Sequence, residues 1–134
     1  MIDDIMQAIA NKLAELYPEY EIRTDDVPQD FSTPSFLIVL ADHDYSKRIY
    51  GNSGTAIMDV AYFSDKGTQE IKGDCRTVQE NLLRNFDIIG TFRATDKNAH
   101  TVDNVLHLTF NVKYSEIKIT DETVMKKQQT NTNI

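Results

Sequence analysis

The chain has 134 residues, enough for one domain around one hydrophobic core, and its 40% hydrophobic and 26% charged content excludes wholesale disorder. Asp and Glu outnumber Lys and Arg by 21 to 14, and the resulting net charge of −7 excludes non-specific grip on a nucleic-acid backbone as the main activity. A single cysteine, Cys75, leaves no internal disulfide. With no charged-then-apolar leader and no run near the roughly 20 apolar residues of a membrane span, the expectation is a cytoplasmic protein without a membrane partner.

Residues 2–17, IDDIMQAIANKLAELY, place Ile2, Ile5, Met6, Ile9, Leu13 and Leu16 at helical spacing, with Asp3 and Asp4 where the dipole of a helix start favours acid. Pro18 ends this helix, because proline supplies no amide hydrogen and biases Tyr17 out of the helical region. Next comes VPQDFSTPSFLIVL, in which two of the three prolines lead into the most hydrophobic run of the chain. The runs PSFLIVLADHDY and TAIMDVAYF, rich in β-branched and aromatic residues, read as antiparallel strands around a turn in SKRIYGNSG, Ser46 to Gly54.

A second helical stripe, Ile71, Cys75, Val78, Leu82 and Phe86, runs through GTQEIKGDCRTVQENLLRNF, and Gly73 weakens it by about 1 kcal/mol relative to alanine. Cys75 lies on that stripe and reads as a small core residue rather than a nucleophile. Then FDIIGTFRAT and NVLHLTFNVKYSEIK flank the polar DKNAHTVD as a second hairpin. In the last strand Leu106, Leu108, Phe110, Val112 and Tyr114 alternate with His107, Thr109, Asn111 and Lys113, so one face is core and the other polar. The predicted order is helix, strand, hairpin, helix, hairpin: an α+β fold with a mostly antiparallel sheet of about five strands and two helices packed on it. The domain spans 1–118, and the polar stretch 119–134 reads as a tail that is flexible when the protein is alone.

Candidates for chemistry are few. Asp42-His43-Asp44 has metal-ligand residue types, but on a strand its carboxylates share one face and the imidazole takes the other, so we read it as a solvated strand end. His100 lies in a predicted loop and His107 on a polar strand face, without metal-binding spacing. Gly51-Asn-Ser-Gly54 lacks the strand-to-helix context of a hydrolase elbow, and phosphate loops and zinc-binding cysteine pairs are absent. No cofactor is expected. A small metal-dependent hydrolase built on Asp42, Asp44 and Asp59 stands as the alternative of another class.

One resemblance favours a structural reading. Tyr17-Pro18, then Gln29-Asp30-Phe31, Pro34-Ser35-Phe36 entering a strand, DVAYF, a helix, and finally VDNVLHLTFNVKY follow the order of a family of phage tail terminator proteins from phages and prophages of Gram-positive bacteria, which the chain resembles over about residues 1–118. Its strongest parts are Gln29 to Phe36 and Val102 to His107. Asn104 stands where a glycine is more usual and can itself tolerate a left-handed conformation.

The resemblance implies a virion structural protein, not an enzyme: a homo-oligomeric ring, commonly a hexamer, that caps the head-proximal end of the tail tube, stops its growth and offers the head a docking surface. Implied partners are further copies, the major tail tube protein, head-tail connector proteins, and genome DNA passing through the lumen without specific binding. Assembly would take place in the host cytoplasm. A head-completion or head-tail adaptor protein is the alternative of the same class.

For contacts, Pro28 and Pro34 restrict the approach, so Gln29, Asp30 and Phe31 would be presented already ordered, with Phe31 either an anchor or packed on its own core. The expected long loops Asp44 to Thr55 and Thr95 to Asn104 bring Lys47, Arg48, Tyr50 and His100 as contact residues, or are solvated hairpin tips.

Overall fold

In the computed structural model, which describes residues 1–24 and 34–117, the first apolar stripe forms α1 (Ile2–Leu16) and buries Ile5, Met6, Ile9 and Leu13. The helix stops where proline requires: the Tyr17 amide donates to the Leu13 carbonyl at 2.7 Å, and the chain turns into a short strand, β1 (Glu21–Thr24). Two long strands follow, β2 (Ser35–Arg48) and β3 (Gly51–Phe63), then α2 (Ile71–Asn85). After α2 come β4 (Ile88–Ile89), β5 (Phe92–Val102) and β6 (Val105–Ile117).

These strands form one sheet in the order β1-β2-β3-β6-β5-β4, in which only β1 and β2 pair parallel. The α+β class and mostly antiparallel sheet are as expected. Among the described residues six strands replace the expected five, because Gly90, with φ of 63°, turns the chain between Ile89 and Phe92 and splits FDIIGTFRAT in two.

The alternation read in the last strand holds: Leu106, Leu108, Phe110 and Val112 are buried, as are Ala56, Met58, Val60 and Tyr62 of β3 beside them. Both helices close that face, α2 through Cys75, Val78 and Leu82, with Phe86 next in chain. Burial raises the Cys75 thiol above its ordinary range, which fits an inert core residue.

At one end of the core four rings meet. Phe36 and Tyr62 lie 5.1 Å apart, and Tyr20 stacks on Phe36 and Tyr62 at 5.8 and 6.0 Å. Tyr17 lies 4.9 Å from Tyr20 and carries the contact to α2, where the Asn81 amide donates to its hydroxyl at 2.7 Å. The Tyr62 hydroxyl donates to Asp74 at 2.6 Å and the Ser64 hydroxyl to the same oxygen at 2.5 Å, tying the first turn of α2 to the end of β3.

Both expected long loops prove to be strand. β2 and β3 stay paired from Ser35↔Phe63 out to Arg48↔Gly51, leaving only Ile49 and Tyr50 as a two-residue turn. The Gly-Asn-Ser-Gly cluster at 51–54 is therefore the start of β3, held on its other side by β6 as far as Gly51↔Ile117. A ladder on both sides outweighs the turn preference of those residues. Likewise Thr95–Val102 belongs to β5, a sheet strand whose polar side chains remain largely in water; a bulge between Thr95 and Asn98, with Asp96 at φ 54°, absorbs its irregularity. The β5-β6 turn is the pair Asp103 and Asn104, at φ 51° and 63°, as a tight hairpin turn of this hand demands.

Candidate functional site

Beyond the helices the sheet continues as a three-stranded arm. A bulge between Leu40 and Asp42 shifts the register of β2, after which Asp42 to Arg48 run beside Ile57 to Gly51, with β6 on the far side of β3 out to Ile117. The described side chains of residues 41–50 are all exposed, and three are large and apolar: Tyr45 at 56%, Ile49 at 85% and Tyr50 at 82%. Scattered exposed apolar residues need no explanation, but three within six residues at one projecting tip form a patch. Covering a side chain of this kind is worth about 1.5–3 kcal/mol, so the arm can bind a partner by hydrophobic burial.

The arm is stiffened by a row of Tyr45, Gly54 and Tyr114 across its three strands. The Tyr114 ring lies across Gly54 and meets His43, whose Nε2 shares a 2.5 Å hydrogen bond with the Tyr114 hydroxyl. Burial, then Glu116 and Tyr45, raise the Tyr114 pKa above its ordinary value. The cleft beside this row, lined in part by Tyr45, Gly54 and Tyr114, holds about 280 Å³, small for an organic ligand.

A methyl group on Gly54 would sit 2.5 Å from the end of the Tyr114 ring. Gly→Ala inside a strand ordinarily gains about 0.5–1 kcal/mol. Here Gly54→Ala is expected to lower the urea midpoint, because the ring must swing away from His43; a raised midpoint would show that the ring moves without cost.

A second polar group sits on the outer face of the sheet, where His107 Nδ1 lies 3.2 Å from both Asp59 oxygens and His100 stacks on His107 at 5.4 Å. Asp59 and His107 are partly buried and resemble half of a catalytic triad. No hydroxyl or thiol bonds His107 among the described residues. Nor, among those residues, does any group of three or more His, Cys, Asp or Glu have the geometry to hold a metal ion. Asp42 and Asp44 are exposed on the arm, and the Asp42 carboxylate accepts the His43 amide at 2.8 Å.

Of the contact residues expected from the sequence, Lys47, Arg48 and Tyr50 come together at the arm tip. His100 lies elsewhere, on β5 opposite His107. Gln29, Asp30 and Phe31 fall outside the described residues, as does the polar stretch 119–134. Tyr45 and Ile49 were missed by sequence reasoning; the signal was a Tyr and an Ile close to a turn in a run otherwise polar.

The model of a family described as phage tail terminator protein matches residues 4–124. The chain belongs to the phage tail terminator family. This gives it a structural role in the tail or at the head-tail junction of a virion. No curated protein matches the chain. Among solved structures, a chain from the virion of a native gene transfer agent particle is 14% identical, with 84% of this chain and 95% of that chain covered and a TM-score of 0.44. Another solved chain is 10% identical, with 86% and 94% covered and a TM-score of 0.40.

Proposed function

We propose that this terminator caps the head-proximal end of the tail tube as a closed hexameric ring, stops tube polymerisation there and forms the surface on which the head docks. The reading rests on the family match over residues 4–124, and the exposed arm supports it by supplying a projecting surface that lone monomers leave uncovered. A cap must fit the last layer of the tube on one side and differ from a tube subunit on the other, and like copies joined head to tail close when the rotation between neighbours divides a full turn. The ring would assemble in the host cytoplasm with the tube protein and the head-tail connectors as partners. A net charge of −7 suits a channel past which DNA slides without sticking.

Tail length tests this directly. In a phage or prophage carrying this chain, deletion of its gene is expected to leave overlong, headless tails of variable length in negative-stain electron micrographs, and complementation to restore a single length. Tails of normal length beside filled heads would place the protein on the head side of the junction and sink the capping role.

A further inference from the structure

The arm has two open edges. β1 pairs with β2 only as far as Thr24↔Ile38, and β5 pairs with β6 only from Ala94↔Val112, in the direction of the core. Among the described residues, therefore, the outer edge of β2 from Val39 to Arg48 and that of β6 from Lys113 to Ile117 carry no ladder partner. A row of unpaired backbone amides and carbonyls is a template for another strand.

The side chains along these edges match each other. Because β2 and β6 both run antiparallel to β3, they are parallel to one another, and the ladders set their residues level in rows: Asp44 with Thr55 and Lys113, Tyr45 with Gly54 and Tyr114, Lys47 with Asn52 and Glu116. Within one copy the outer members of a row stand two strand spacings apart, about 10 Å. If β2 of a second copy lies beside β6 in the same direction and at the same height, the outer members become neighbours at about 5 Å. Asp44 then meets Lys113 on one face, while Lys47 meets Glu116 on the other. Both charged rows join opposite signs.

We infer that the β2 edge of one copy pairs in parallel with the β6 edge of the next, so that the arms merge into one continuous cylinder of strands. Each copy offers one edge and receives on the other, which is the heterologous contact that closed rings need. Exposed charges on the edges keep the free chain from pairing at random. The inference rests on the ring reading above and adds which surfaces meet and in which sense.

Two variants reverse one edge each: Asp44→Lys with Lys47→Glu on β2, and Lys113→Glu with Glu116→Lys on β6. All four residues are at least partly exposed, and circular dichroism checks that both variants fold. Each is used to complement the gene deletion. Alone, each places like charges across every contact, and overlong tails are expected in both cases. Expressed together they fit each other alternately around an even-numbered ring, and normal tail length is expected to return. Normal tails with either variant alone, or no rescue by the pair, would overturn the edge pairing while leaving the terminator reading intact. Normal tails in the uncomplemented deletion would overturn both.

Discussion

Tyr62→Ala is expected to lower the unfolding free energy by about 3–5 kcal/mol. Tyr62 is fully buried, touches Phe36 and Tyr20, and anchors α2 through Asp74, so truncation opens a cavity and strips one donor from a part-buried carboxylate. Tyr62→Phe keeps the ring and loses only the donor, with Ser64 still bonded to Asp74, so about 1–2 kcal/mol is expected. The urea midpoint should fall for both with an unchanged slope.

The same pair of variants carries a pH signature. Burial, reinforced by the Asp74 carboxylate, raises the Tyr62 pKa above its ordinary value of 10.0. Above that pH the unfolded chain releases this proton while the folded chain keeps it, so stability falls as pH rises, by about 1.4 kcal/mol per pH unit for one proton. Tyr17 and Tyr114, also raised, remain in Tyr62→Phe, so the difference in slope between it and the wild type isolates Tyr62. Equal slopes above pH 10 would show that Tyr62 ionises in the folded state as freely as in the unfolded one.

Both helices were legible because each presents an apolar stripe at helical spacing, and Pro18 marks where the first one ends. The alternation from Leu106 to Tyr114 likewise identified the sheet face that carries the core. Lengths of the strands were not legible. From Asp44 to Thr55 and from Thr95 to Asn104 the composition is polar and turn-rich, and all of it except the turn pairs Ile49–Tyr50 and Asp103–Asn104 is strand because neighbours distant in sequence supply the ladder. Gly54 illustrates the point: locally it reads as a turn residue, yet it serves as the floor beneath Tyr114, which lies 60 residues further along. The arm was therefore visible only in part. Lys47, Arg48 and Tyr50 were picked out as tip residues, but Tyr45 and the edge of β6 join them only through a register no local pattern encodes.

The arm tip carries the largest functional effect expected. Ile49 and Tyr50 form the two-residue turn at its end, are 85% and 82% exposed, and hold nothing of the core together. Ile49→Ser with Tyr50→Ser should therefore change stability by no more than about 0.5 kcal/mol, as surface substitutions usually do. If the tip docks in assembly, the same change removes two large anchors from a contact in which a few residues carry most of the energy. A loss of about 2 kcal/mol or more per anchor would then weaken each contact more than tenfold. Overlong tails from a variant that melts like the wild type is the expected result, measured by differential scanning calorimetry and negative-stain tail lengths together. Normal tails would assign the tip to solvent and leave the flanking strand edges to make the contact. A large drop in melting temperature would show instead that the turn nucleates the arm, and Ile49→Thr with Tyr50→His, less drastic in shape, would then separate folding from docking.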